Sequence, residues 1–323
     1  MEKVLGMGNA LVDIMTQIND DKLLTELGLP KGSMQLVDAD FSKQAIDKTV
    51  HLNPVKTSGG SAANTIHGLA KLGVETGFIG KVGKDELGTF FKRDLEKSNI
   101  QPFLLQSETP TGKALALVSP DSERTFATHL GAAVELTASE IAESIFKDYS
   151  YFHIEGYLVQ NHDLIEQSIL TAKKNGLKVS LDLASFNIVD ENLDFLRRVV
   201  KDYVDILFAN EEEAKSFTGK NPEEALNEIA EMCEYAIVKV GKKGSYVKFN
   251  GETTRVGIIG VDAIDTTGAG DLYAGGFLYG MVHKLSMKEC ANMGSLLSGK
   301  VIETLGAKIS DRGWSEILDY MKK

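Results

Sequence analysis

The stretch Asp265-Thr266-Thr267-Gly268-Ala269-Gly270-Asp271 sets small residues and carboxylates directly before a helix-compatible run, Leu272 to Val282. Small residues at 268, 269 and 270 let backbone N–H groups converge at a helix N-terminus, where free donors and the helix dipole favour an anion. A carboxylate at 271 repels phosphate. The pattern makes chemical sense if Asp271 takes the proton of a hydroxyl whose oxygen attacks a phosphorus held nearby. The same residues also make an ordinary acidic first turn capped by glycines, and on residue types alone both readings stand. Other chemistries lack their residues. No Gly-x-x-x-x-Gly-Lys-Ser/Thr occurs, there is no His-Glu-x-x-His, and the six histidines do not cluster at metal-ligand spacing. Gly59-Gly60-Ser61-Ala62-Ala63 approaches a serine-hydrolase nucleophile elbow, but Ala63 stands where the last glycine is needed.

Three further strings carry polar residues in suggestive places. Gly59-Gly60-Ser61-Ala62-Ala63-Asn64 reads as a helix start with Ser61 as its N-cap. Asn210-Glu211-Glu212-Glu213 puts consecutive acids where they would satisfy a helix dipole. Gly6-Met7-Gly8-Asn9 lacks the third glycine of a dinucleotide fingerprint, since Leu11 occupies that place. Asp13 follows closely; a buried carboxylate there needs partners, either a turn or a ligand.

Taken together these strings resemble the signatures of the ribokinase-like (PfkB) family of carbohydrate and nucleoside kinases, with the opening most similar to the adenosine kinase branch. The resemblance implies that Asp271 is the catalytic base and that the amides of Gly268, Ala269 and Gly270 form an anion hole. Gly59 and Gly60, with Gly73 and Gly83 downstream, would let the backbone approach a sugar whose hydroxyls Asn64 binds; Ile66 departs from the pattern, which has a small residue there. Asn210 and Glu213 match an Asn-x-x-Glu element that holds Mg²⁺, usually through water, one carboxylate being enough for so strongly hydrated an ion. Asn9 and Asp13 match positions that grip ribose hydroxyls, and Gln35 a lid position near the base. Phe126 and Tyr157 match residues flanking the purine, or else are lid packing and a strand-end core aromatic. Arg124 would close the lid over phosphate. Gly241 and Gly244 fall where glycines lie against the nucleotide, and Asn292 near the adenine. Asp265, with carbonyls around Thr267 and the Glu303–Gly306 turn, matches a monovalent-cation (K⁺) site. The implied reaction is in-line transfer from ATP to a primary alcohol, the 5′-hydroxyl of adenosine, or alternatively of ribose, fructose or a related sugar. A nucleotide-binding regulator would have no use for Asp271. Similar proteins are monomers or homodimers.

Those residues need a scaffold. Tyr151–Ile154, Leu177–Leu183, Val204–Phe208 and Tyr235–Val240 are strand-like and alternate with helical stretches, including 163–175, 211–217 and 223–233. That rhythm implies crossover units and a parallel sheet covered on both faces. Toward the N-terminus, Val4–Met7 and Thr76–Ile79 are strand-like, and 61–72 and 86–98 are helical. Two stretches break the rhythm, about 10–36 and 112–130; the second holds a hairpin turning at Asp121-Ser122-Glu123-Arg124. They are expected to form a small β-sheet lid on one α/β domain spanning 1–323. The net charge of −11 disfavours nucleic acid and anionic membranes as partners. No apolar run is long enough to span a bilayer. Two distant cysteines, Cys233 and Cys290, and a start without a signal-peptide layout fit a cytoplasmic protein.

Overall fold

The computed structural model describes residues 2–121 and 123–322, so Ser122, part of the expected hairpin turn, lies outside the described residues. Its strands are β1 (Val4–Met7), β2 (Leu11–Gln17), β3 (Met34–Leu36), β4 (Val55–Gly59), β5 (Thr76–Gly83), β6 (Ile100–Ser107), β7 (Thr111–Val118), β8 (Arg124–Gly131), β9 (Tyr151–Glu155), β10 (Lys178–Asp182), β11 (Ile206–Asn210), β12 (Tyr235–Lys239), β13 (Ser245–Phe249) and β14 (Glu252–Val256). A nine-stranded sheet runs in the order β14-β13-β12-β11-β10-β9-β1-β5-β6. It is parallel from β12 to β6, and only the β12–β13 and β13–β14 pairs are antiparallel.

Strand side chains alternate between faces, and both faces are buried. Ile206 and Phe208 of β11 enter one apolar layer, whereas Leu207 and Ala209 enter the other. Helices Ser61–Lys71, Ala269–Val282 and Met287–Val301 cover the first face. His162–Lys174, Leu193–Tyr203, Glu211–Thr218 and Pro222–Ile229 cover the second. The result is the three-layer α/β arrangement expected of the ribokinase-like fold.

A five-stranded sheet, β3-β8-β7-β2-β4, stands beside it. It takes in β4, a segment the sequence reading did not assign to it. Val12, Ile14, Leu115, Leu117 and Ala127 are buried in one cluster with Leu24, Leu27 and Ala45. The register puts Asp13, Ala114, Thr128 on the opposite face, together with Met15, Ala116, Phe126 and Met34. Polar groups on that face are free to meet the carboxyl ends of the main strands, where open parallel sheets hold their ligands.

Candidate active site

Polar residues end four neighbouring strands of the main sheet: Glu155 on β9, Asp182 on β10, Asn210 on β11 and Lys239 on β12. Each closes a largely buried strand at its last position. Lys239 Nζ donates to Asp182 Oδ2 at 2.8 Å, and both side chains are largely buried. The ammonium faces the helix Ala269–Val282, so close that a Cβ on Gly270 would lie 3.0 Å from it. Neighbouring Asp182, Glu213 and Asp271 hold the Lys239 pKa above its usual value although burial pulls it down. The sequence reading missed Lys239, Asp182 and Glu155. The available signal was a charge at the end of a strand-like run, a place where Lys, Asp and Glu, if buried, rarely go unpaired.

Gly268 is the N-cap of the 269–282 helix in a left-handed conformation, φ 74°. Ala307 packs against it, with 2.6 Å between the Ala307 Cβ and where a Cβ on 268 would be, so glycine is required twice over. The amides of Gly268 and Gly270 thus gather at the start of a buried helix with the Lys239 ammonium beside them, whereas the Ala269 amide, expected in the same anion hole, donates to the Thr266 carbonyl at 3.2 Å. Asp271 stands in the first turn. Its Oδ1 accepts from Ser61 Oγ at 2.7 Å and its Oδ2 from Asn64 Nδ2 at 3.0 Å, while its carbonyl accepts from Thr65 Oγ1 at 3.0 Å. Burial raises the Asp271 pKa above the usual carboxylate value, and the Ser61 and Asn64 hydrogen bonds partly oppose this. A fixed carboxylate of raised basicity beside an anion-binding helix end is equipped to accept a hydroxyl proton.

The helix Ser61–Lys71 is capped by Gly60 at φ 98°, not by Ser61, whose hydroxyl is committed to Asp271. Glu155 organises its start. One carboxylate oxygen accepts from Ala62 N at 2.8 Å; the other accepts from Asn9 N at 2.9 Å and Asn9 Nδ2 at 2.8 Å. Burial pushes the Glu155 pKa up to about 7. Asn9 therefore gives its backbone N–H and one of its two side-chain N–H groups to Glu155, and keeps its Oδ1 and second Nδ2–H for other partners. Asp13 behaves differently. Its carboxylate lies flat on Gly59, where any Cβ would overlap it, and burial pushes its pKa up to about 6. Only more distant charges act on it, Lys308 lowering and Asp271 raising, with no protein hydrogen bond among the described residues. Asn64 Oδ1 is likewise buried without a partner. Both are acceptors that a ligand's hydroxyls would satisfy.

Pairing of β3 with β8 sets Met34 opposite Phe126 and Gln35 opposite Ala127. Gln35 thus projects from the face away from Phe126, a correction that follows from a one-residue difference in register. Tyr157 lies in the 3-10 turn Gly156–Gln160 that follows β9, with its hydroxyl donating to the Ala184 carbonyl at 3.4 Å and its ring against the apolar layer under β9. Arg124, expected over phosphate, instead ion-pairs with Asp265 and donates from Nη1 to Thr267 Oγ1 at 2.6 Å. Asp265 also accepts from Thr267 N at 2.8 Å and Gly306 N at 2.5 Å. The carboxylate expected beside a monovalent cation thus already has a cationic partner in Arg124, together with two amide donors.

Asn210 and Glu213 form a reciprocal capping box. Asn210 Oδ1 accepts from the Glu212 and Glu213 amides, both at 2.9 Å, and Glu213 accepts from Asn210 N at 2.7 Å and Nδ2 at 2.6 Å. Burial, then the Asp182 charge, lift the Glu213 pKa to about 7. Each oxygen keeps a lone pair, so the residues fit a hydrated magnesium ion held through water, not by direct ligation. Gly241 (φ 52°) and Gly244 (φ 93°) form the turn from β12 to β13, and the Val256 carbonyl leaves no room for a side chain at 244. Asn292 lies half-buried on the helix Met287–Val301, which packs beside the helix Ala269–Val282.

Residues 37–312 match the pfkB family of carbohydrate kinases. The crystal structure of an adenosine kinase from Sinorhizobium meliloti is 33% identical, with 99% of each chain covered and a TM-score of 0.89. A probable sugar kinase from Rhizobium etli is 32% identical, covering 99% of this chain and 98% of its own, also with a TM-score of 0.89. Adenosine kinase from Saccharomyces cerevisiae is 27% identical over 98% of both chains.

Proposed function

The chain belongs to the pfkB family of carbohydrate kinases, which phosphorylate hydroxyl groups of sugars or nucleosides, and from that premise we propose that it phosphorylates the 5′-hydroxyl of adenosine with ATP. In this reading Asp271 takes the proton from the acceptor hydroxyl as its oxygen attacks the γ-phosphorus. The bond from that phosphorus to the ADP oxygen breaks in line. Ser61 and Asn64 hold the base still, and the Gly268 and Gly270 amides with Lys239 receive the charge on the phosphoryl oxygens. Magnesium, held through water by Glu213, would supply neutralisation of the β- and γ-oxygens. Positioning and charge carry the acceleration, with no covalent intermediate.

One observation supports a nucleoside above all. Asp13, an unbonded carboxylate over Gly59, shares its sheet face with Phe126, so a vicinal diol and a flat ring would be met from one surface. Stacking on an aromatic ring is worth ~1–3 kcal/mol per base, and a hexose offers no π-face. The outward face of Gln35 favours a second reading, a free-sugar acceptor, which needs fewer base contacts. Measuring kcat/KM for adenosine, ribose and fructose in wild type and Phe126→Ala separates them. A nucleoside kinase prefers adenosine and loses about tenfold or more in the variant, in line with the stacking energy. Preference for a sugar, or an adenosine rate indifferent to the ring, assigns the sugar instead.

A further inference from the structure

Asp265 is buried, its side chain 3% exposed, at the point where three segments meet. It opens the loop that ends in the anion hole. Its own amide and that of Ile264 donate to the Ile302 carbonyl. Its carboxylate collects the Thr267 and Gly306 amides, and the next residue, Ala307, is the one that packs on Gly268. The carboxylate therefore fixes both the loop and the turn that supports it. An anion so buried needs a cation, and two neutral amides do not supply one. Arg124 does, from the first residue of β8, with its own side chain 8% exposed. Its second nitrogen holds the Thr267 hydroxyl, so the fork grips two residues of the same loop.

We propose that Arg124 is the built-in counter-ion of Asp265, a positioning residue that shapes the anion hole and takes the place of a free monovalent cation. The loop then needs no dissolved ion to be in order. Because the guanidinium is tethered to the five-stranded sheet, the hole is in shape when that sheet is seated against the main one. The inference rests on the phosphotransferase assignment but not on which acceptor is used.

The test compares K⁺, Na⁺ and tetramethylammonium at constant ionic strength in wild type, Arg124→Ala and Arg124→Lys. Both kcat and acceptor KM are measured, and the thermal midpoint of each protein is recorded with and without methylguanidinium. Wild-type kcat is expected to be equal in the three salts. Arg124→Ala loses kcat by about 10²-fold, the usual effect of displacing a catalytic geometry by an ångström, with acceptor KM changed far less. Methylguanidinium or K⁺ then restores part of its kcat and raises its midpoint. Arg124→Lys, which keeps the charge and loses the fork, falls between. Activation of wild type by K⁺ over tetramethylammonium overturns the proposal, and needs no variant to fold. A loss confined to KM, without rescue by any cation, also overturns it and puts the guanidinium on the substrate. If no acceptor turns over in wild type, the kinase reading fails separately, while the cation dependence of the Arg124→Ala midpoint still reports on the pair.

Discussion

Asp271 sits under opposing influences that its neighbours keep in balance. Burial and the Asp182 charge favour the neutral acid; Ser61, Asn64 and Lys239 favour the carboxylate. Asp271→Asn removes the base while keeping size and shape, so kcat should fall by about 10²–10⁴-fold with nucleotide affinity and thermal midpoint retained. Near-normal kcat would place the base elsewhere. Asp13 offers a cleaner electrostatic test, since no protein donor offsets its burial. Its carboxyl titrates at about 6, above the ordinary range, so its contribution to stability is whole at low pH and is lost as pH rises through about 6. In the unliganded protein, about 2 kcal/mol of the stability decline from about pH 4.5 to about pH 7.5 should vanish in Asp13→Asn. Denaturant titrations at the two pH values check this, and parallel curves for both proteins would refute it. The same variant should bind the acceptor more weakly, the usual trade between a strained site and a stable one.

Among the elements, the helix after Asn210 joins a structural and a functional demand in one side chain. The capping box accepts Gln as well as Glu at its third position, so Glu213→Gln separates the cap from the charge. Its thermal midpoint should stay near wild type, while the Mg²⁺ needed for half-maximal rate rises by about 10–100-fold, as when a metal's outer partner is lost. An unchanged Mg²⁺ titration moves the role to another acid of the row. What the sequence revealed follows the same division. The Gly268–Asp271 turn was readable because anion hole and base come from one unbroken string at one helix start. Glu155, Asp182 and Lys239 were not, because they are brought together only by the parallel register of separate strands. The main sheet was legible from apolar runs alternating with helices. β4 was missed because Val55–Gly59 is half exposed and carries no buried-strand pattern. Gln35 was misjudged because three residues of edge strand do not reveal which face a side chain takes until the partner is known.

At the scale of the molecule, the two sheets divide the site. The main sheet and its helices supply Asp271, Lys239, Glu213 and the anion hole; the smaller sheet supplies Asp13, Phe126 and Arg124. Acceptor and nucleotide bound together should therefore stabilise the assembly more than either alone, since each ligand gains from the other sheet's position. Hydrogen exchange reads this directly. Amides of 11–17 and 124–131 should slow markedly with acceptor plus a non-hydrolysable ATP analogue, and only slightly with the analogue alone. Equal protection by the analogue alone would mean that the smaller sheet does not take part in binding.

The smaller sheet is assembled from stretches 11–17, 34–36, 55–59 and 111–131, and shares no strand with the sheet that carries the transfer groups. For an evolving lineage this separates inheritance into two parcels. Mutations that redraw the face of β2, β3 and β8 leave the register of the main core untouched, so a duplicated gene can try new acceptors while keeping its phosphoryl chemistry. The Arg124 tether constrains that freedom, as do the bonds of Thr111 to Asp85 and of Ser58 to Asp94, because a residue lost there would be felt across the boundary. A designer wishing to transplant the acceptor surface would accordingly exchange the four stretches as a set and keep arginine at the seam.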